Sequence, residues 1–276
     1  MRKLLAQIGL YALASAVAVF FAYPFWWMFV ASFRTQEQIL SAPLRLLPER
    51  FDLAAWRSIR RLGGEDLSTY AINSFVLTTA ATLLGVAVMG IGAYALYRRP
   101  SLPGFRPVRY GFMLTIMYPH MLLVIPLYFV TYRLGLLGTW AGLVLVLALV
   151  PLVFFLFDQF FRAIPREMLE AAQMDGASEA QTFLRVVLPI ARPVVTTSVL
   201  IAFLLTWKQW FPILVLSAGP DTYTLPVALL ALNSEWGINV QATMALSTLT
   251  TLPVIVLFVL TQRKVMSGFL AGATKG

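Results

Sequence analysis

The sequence predicts an all-α, polytopic membrane protein with six transmembrane helices and both termini on the inner side. Three observations carry that class. Hydrophobic residues make up 59% of the 276-residue chain and charged residues 12%, against ~45–50% and ~25% in a soluble domain. Mean hydropathy is +0.79, which leaves too little polar surface for a water-soluble fold and excludes a disordered chain. The apolar residues also gather into long runs, and ~20 of them in a helix span the hydrocarbon of a bilayer.

The runs follow in order. Leu4 to Phe33 comes after Met1-Arg2-Lys3. It is far longer than the ~7–15-residue core of a cleavable signal, so it reads as a retained first helix, 8–31. A long outer connection, 33–68, carries both signs of charge. The uncharged run Leu67 to Tyr97 supplies a second helix, 70–97. Tyr110 to Tyr132 and Leu134 to Phe157, separated by Arg133, supply helices 110–132 and 135–157. Segment 158–192 is polar and inner. Pro193 to Leu216 is interrupted only by Lys208 and supplies helix 193–216. An outer connection, 217–236, precedes the sixth helix, 237–262, and an inner tail, 263–276. The whole reads as one transmembrane domain, 1–276. No run alternates with period two, which argues against a β-barrel. In lipid, a helix pairs its backbone groups locally.

Orientation follows the basic residues. Thirteen of the 21 Lys and Arg fall on the inner side with the N-terminus inside, seven on the outer side, and Lys208 lies within a span. The first outer connection dissents with six Arg, balanced by nearby acids, while 217–236 has no basic residue. The inside excess favours N-in and C-in. The net charge of +9 flanks apolar runs, so its partner is an anionic lipid surface rather than nucleic acid. Cysteine is absent and histidine occurs once, at His120, so no thiolate or His-pair metal site is available. Prolines at 24, 119, 126, 151, 212 and 253 lie in or beside spans and free carbonyls that neighbours must satisfy. Gly138 and Gly142 form a GxxxG, either a close-packing face or a chance spacing.

Segment 158–192 reads as helix, turn, helix. Pro165 suits a first helical position. Residues 166–174 are mostly strong helix formers. Asp175-Gly176 stops that helix, with Gly176 as a left-handed cap. Ser178 and Gln181 have capping-box spacing. Ala180, Phe183, Leu184 and Val187 make one apolar stripe, and Pro189 is expected to end the helix. Such a hairpin either lies on the membrane surface or docks into a partner.

The residues themselves carry a resemblance. Glu170-Ala171-Ala172, three residues, Gly176, nine residues, then Val186-x-Leu188-Pro189 resembles the EAA loop of binding-protein-dependent ABC importer permeases, with Val186 in place of isoleucine. The tail Gly268 to Gly276 is similar to that of the carbohydrate-uptake permeases related to the maltose importer's smaller membrane subunit (MalG-like). Trp207-Lys208-Gln209-Trp210-Phe211-Pro212 resembles their fifth-helix motif, usually Trp-Asn-x-Phe, with lysine replacing asparagine. Thr224-Leu225-Pro226-Val227 resembles their last outer loop.

The resemblance implies a type I ABC importer permease fold in the bacterial cytoplasmic (inner) membrane. It implies a second, MalF-like permease, two MalK-like ATP-binding subunits and an extracytoplasmic solute-binding protein. It implies no cofactor in this chain, with ATP and Mg held by the ATPases. Consistently, the sequence has no G-x-x-x-x-G-K-[ST] phosphate loop, and the chain is expected to be a transporter subunit rather than an enzyme. Glu170, Ala171, Ala172, Asp175, Gly176, Leu188 and Pro189 would contact the ATPase, or Glu170 would simply sit on a solvated helix face. Gly272, Lys275 and Gly276 would reach the same partner or fray.

The expected solute pathway uses Trp207, Lys208, Gln209, Trp210, Asn233 and Asn73. Tryptophans there also suit interface anchoring, and Asn73 with Ser74 also suits opening the second helix. Lys208 must face a cavity, snorkel, or pair with an acid, either Glu235 or one in the partner permease; contact with an acidic substrate is a further alternative. The expected solute is a sugar or oligosaccharide. Another solute class remains open, as does an ion-coupled secondary transporter, although no Asp or Glu lies inside the six runs. An intramembrane enzyme lacks its motifs, and a purely structural subunit leaves the Glu170–Pro189 pattern unexplained.

Overall fold

The computed structural model describes residues 2–99, 103–235 and 239–273, with side chains at 3–99, 103–104, 107–119, 121–165, 167–230, 232 and 239–262. It is built almost entirely of helices. Helix α1 (Arg2–Ala31) leads to α2 (Gln36–Ser41), α3 (Ala54–Ser58) and a small antiparallel hairpin, β1 (Arg61–Leu62) with β2 (Glu65–Asp66). Next come α4 (Leu67–Arg98), α5 (Phe105–Met117), α6 (Val124–Arg133), α7 (Trp140–Leu147) and α8 (Pro151–Arg162). The chain continues through α9 (Arg166–Met174), α10 (Glu179–Thr182), α11 (Leu188–Ile190) and α12 (Arg192–Trp207). It closes with α13 (Phe211–Leu216), α14 (Leu225–Glu235) and α15 (Val240–Ala273).

Among the described residues, three helices are long and apolar enough to cross a membrane alone: Lys3–Ala31, Leu67–Arg98 and Val240–Gln262. Three more candidates are bent pairs. Pro107–Met117 with Met121–Arg133 turns by 117°, Trp140–Leu147 with Pro151–Arg162 by 47°, and Glu179–Ile190 with Arg192–Trp207 by 76°. Proline stands at each break. Pro119 pushes Tyr118 into extended backbone (φ −87°, ψ 137°), as the residue before proline must be. Val150 before Pro151 is likewise non-helical. The apolar run 193–216 is also broken, at 208–210, with Pro212 in the first turn of α13.

Packing divides the chain into two units, Met1–Ser68 with Ala228–Ile255 and Thr69–Val227 with Val256–Gly276. In the first, the connection after α1 folds around a buried arginine. Arg34 is 1% exposed. Its guanidinium donates to the carbonyls of Gln38, Ala42 (2.7 Å) and Arg45 (3.3 Å). Burial, and secondarily the charge of Arg45, lowers its pKa from the usual arginine value. Phe33 beside it stacks its ring on Trp56 at 5.4 Å, and its carbonyl accepts Asp52 N–H at 2.9 Å.

In the second unit the largest core joins α4, α8 and α12 through Met89, Ala93, Phe154, Phe157 and Ala202. Phe112 of α5 stacks on Phe154 at 4.5 Å. A smaller cluster holds Ala81, Leu147, Ile213 and Val227. Glycine permits the closest approach. A Cβ on Gly85 would overlap the Ala148 carbonyl oxygen where α7 ends. Gly138 and Gly142 serve a turn instead of a helix–helix face. Gly138 takes φ +73° before α7, Thr139 caps that helix through Gly142 N–H at 3.1 Å, and a Cβ on Gly142 would meet the Leu136 carbonyl.

Candidate functional site

The α9–α10 hairpin is built by local signals. Pro165 is the residue just before α9, one position earlier than the sequence suggests. At the other end, Gly176 adopts φ +80°. Gly176 N–H bonds the Gln173 carbonyl and Ala177 N–H the Ala172 carbonyl, both at 3.0 Å. That crossed pair is a Schellman stop, which favours glycine because the left-handed backbone strains other residues. Ser178 then caps α10: its Oγ accepts Gln181 N–H at 3.3 Å, and Gln181 Oε1 accepts Ser178 N–H at 2.9 Å.

The second arm departs from expectation. Pro189 does not end it. A π turn over Phe183–Val187 precedes the proline, so Leu188 N–H bonds the Phe183 carbonyl five residues back, and the helix continues to Ile190. The wider turn alters the stripe as well. Thr182 and Val187 are buried and Phe183 half-buried, but Leu184 is 58% exposed. The direction changes at Ala191, ahead of Pro193.

Long-range contacts root the hairpin. Leu169 and Val187 enter the large core, and Phe183 packs on Tyr94 at 4.8 Å between ring centres. Glu179, in the first turn of α10, is gripped by the end of α4. Arg98 Nε donates to Oε1 at 2.6 Å and Nη2 to Oε2 at 3.0 Å, while Tyr94 Oη donates to Oε1 at 2.8 Å. The Arg98 hydrogen bond, with help from Tyr94 and against some burial, holds the Glu179 carboxyl below its usual pKa. A second ionic knot forms at Asp158. Its side chain is 5% exposed and accepts from Arg109 and Arg162 at 3.1 Å each. Sequence reasoning does not find Glu179, Tyr94 and Arg98 as site residues. The only local signal is an acid in a capped first turn; its partner is 81 residues away.

Glu170, Ala171, Asp175, Gly176, Leu188 and Pro189 are exposed and Ala172 is half-buried. The hairpin therefore hides its base and presents its tip and outer face.

The residues of the expected pathway separate. Trp207 is 3% exposed, with its ring against Phe75 at 5.0 Å and Phe203 at 5.6 Å. Asn73 does not open its helix, because α4 begins at Leu67. Its amide donates to the carbonyls of Asp221 (2.7 Å) and Tyr223 (3.0 Å), and Ser74 Oγ accepts Leu225 N–H at 2.8 Å. Both residues thus tie the 217–225 connection to α4. Lys208 and Gln209 lie at the break between α12 and α13 and line a cavity of about 600 Å³ with α5, α6, α7 and α8. Trp210 joins them only at a smaller neighbouring cavity of about 230 Å³. The side chains of Asn233 and Glu235, the surroundings of Gly272, and all of Trp236, Lys275 and Gly276 lie outside the described residues.

Broken apolar helices line a cavity, and a capped polar hairpin is rooted in the same core. Comparison with known proteins names the kind of protein. Residues 87–265 match the family model described as binding-protein-dependent transport system inner membrane component. The chain belongs to this family. It is 30% identical over 277 residues to the diacetylchitobiose uptake system permease protein DasC of Streptomyces coelicolor, covering 100% of this chain and 99% of that one. It is 31% identical over 257 residues to the trehalose transport system permease protein SugB of Mycobacterium tuberculosis, covering 92% of each. Its fold matches a bacterial ABC transporter that imports the acidic polysaccharide alginate, at TM-score 0.77 and 22% identity, over 95% of this chain and 97% of that one. The chain therefore has the type I ABC importer permease fold and is a multi-pass subunit of the bacterial inner membrane. Such a permease works with ATPase subunits and a solute-binding protein.

Proposed function

We propose that this chain forms half of the transmembrane pathway of a sugar or oligosaccharide importer. The 165–189 hairpin faces the cytoplasm and transmits movement of the ATPases to the bundle. A second, MalF-like permease completes the pathway, two MalK-like subunits bind ATP and Mg, and this chain holds no cofactor. The spans are 8–31, 70–97, 110–132, 135–157, 193–216 and 237–262, with both termini inside.

The observation that carries the reading is the hairpin's division of labour. Its base is locked to α4 and the core through Glu179, Leu169 and Val187, while Glu170, Ala171 and Gly176 stay exposed. A rigid lever with a free tip is what a mechanical link requires, because a bistable bundle responds only to a partner that binds its two states differently. Small Ala171 and Ala172 permit close approach, and Glu170 offers an ionic contact. The sugar relatives DasC and SugB, similar across nearly the full chain, support the solute class. Gly272, Lys275 and Gly276 are assigned a second contact with the ATPases. Among pathway candidates, Lys208, Gln209 and Trp210 are retained as cavity residues, Trp207 and Asn73 have structural partners elsewhere, and Asn233 is kept as a pathway candidate.

The test is ATP-driven sugar uptake by the complete importer in proteoliposomes. Replacing the tip with bulk, as in Ala171→Trp, should abolish uptake while the complex still binds its solute-binding protein. Normal uptake by that variant, or by permeases without ATPases, would refute the lever.

A further inference from the structure

Three polar residues line one cavity at the α12–α13 break. Lys208 is the single charge in the run 193–216, and among the described residues it is also the single charge on the wall of the roughly 600 Å³ cavity. No carboxylate pairs with it among the described residues. Thr206 lines the same space, is 2% exposed, and its Oγ1 has no hydrogen-bond partner. Gln209 adds an amide. The rest of the wall is mostly aliphatic, with residues such as Leu123, Val146 and Leu205.

A buried hydroxyl without a partner is costly, and so is a lysine in an apolar segment. Both costs fall if an oxyanion enters. A carboxylate accepts one hydrogen bond from the ammonium and another from the Thr206 hydroxyl, and apolar walls strengthen the charge attraction. The cavity has the size of a small-ligand site. Its aliphatic face suits the C–H side of a sugar ring.

We propose that this cavity receives the anionic group of the transported solute, so that the solute class is a sugar acid bearing a carboxylate. The inference rests on the importer reading above and narrows it. Lys208 supplies the charge, Thr206 the second donor and Gln209 a contact to neighbouring hydroxyls.

The experiment uses the complete importer in proteoliposomes. ATP-driven uptake of a uronate-containing disaccharide is compared with that of a neutral disaccharide of equal size. The uronate is expected to be preferred, with the preference falling about tenfold in Lys208→Met, the loss of one charge-assisted hydrogen bond. Lys208→Arg should keep most of the preference, and Thr206→Val should lose part of it. An unchanged uronate-to-neutral ratio in Lys208→Met overturns the proposal. So does uptake of neutral sugar alone by the wild type, which leaves the importer reading standing. Failure of both sugars to move with ATP overturns the subsite and the oligosaccharide reading together, while membership of the importer permease family stands. Loss of the second permease on purification of Lys208→Met would assign the lysine to subunit pairing and overturn the subsite.

Discussion

Glu179 and Arg98 form a two-pronged ion pair, at 2.6 and 3.0 Å, between the first turn of α10 and the last turn of α4. They join the polar hairpin to the long helix α4. The Arg98 side chain is 20% exposed and that of Glu179 44%, so the pair is only partly screened by solvent. Removing either partner should loosen the hairpin by about 1 kcal/mol, near the upper end for a partly exposed pair. The expected outcome is faster amide exchange in α9 and α10 in Arg98→Ala and Glu179→Ala, with non-additive effects in the double variant. Additive effects would mean the two residues act separately.

The same pair makes the hairpin sensitive to acid. The folded Glu179 carboxyl titrates below its usual value, mainly through the Arg98 hydrogen bond. A depressed carboxylate stabilises fully above its unfolded pKa, ~4.3, and that stability is lost as pH falls through the lower folded value. Hairpin protection should therefore hold at neutral pH and decline below about pH 4. In Glu179→Gln the protection should start lower and lose this pH dependence, as read by amide exchange or limited proteolysis.

Gly176 is a test of backbone against sterics. Its φ is +80°, and no atom lies within 4 Å of the place a Cβ would occupy. Gly176→Ala should therefore incur only the left-handed backbone cost, about 1–2 kcal/mol. Gly176→Asn should cost less, because asparagine tolerates that conformation. Transport coupled to ATP hydrolysis should rank wild type, Asn, then Ala; an Ala variant as active as wild type would remove the need for this turn.

Gly85 tests the opposite case. It sits in regular helix, but a Cβ would overlap the Ala148 carbonyl oxygen. Gly85→Ala should force α4 away from the α7–α8 junction and destabilise by about 1–3 kcal/mol. Gly92, which has open space around it, is the control: Gly92→Ala should be neutral or slightly stabilising, because alanine favours helix. Thermal unfolding of the detergent-purified protein separates the two.

Asp158 should matter more than its place at the edge of an apolar run suggests. Its buried carboxylate holds Arg109 of α5 and Arg162 of α8. Asp158→Ala leaves two arginines facing each other without their anion, at a cost of roughly 1–3 kcal/mol after allowing for their partial exposure. Restoring the acid as Asp158→Glu should recover part of the loss in the same unfolding measurement.

Much of the hairpin was legible because its signals are local. Gly176, Ser178 and Gln181 act on backbone groups within three or four residues, so their order along the chain is enough. Pro189 is not a stop because a π turn precedes it and the helix runs on; Val187 and Ala191 on either side of it are core residues. Trp207, Asn73 and Lys208 are all expected from the sequence to serve the pathway. Helical rotation and the break at 208–210 send Trp207 to Phe75, Asn73 to the Asp221 and Tyr223 carbonyls, and only Lys208 and Gln209 to the larger cavity.

Composition and the length of apolar runs were sufficient to establish a helical membrane protein, since lipid leaves a chain few ways to pair its backbone. The family resemblance carried by the residues from Glu170 to Pro189 pointed to a permease. Which charges meet was decided only in three dimensions. Arg98 with Glu179, and Arg109 with Asp158, come from distant segments whose approach depends on packing α4, α5 and α8 around shared aromatic side chains. That packing depends on shape, and shape is not written in any single stretch of the chain.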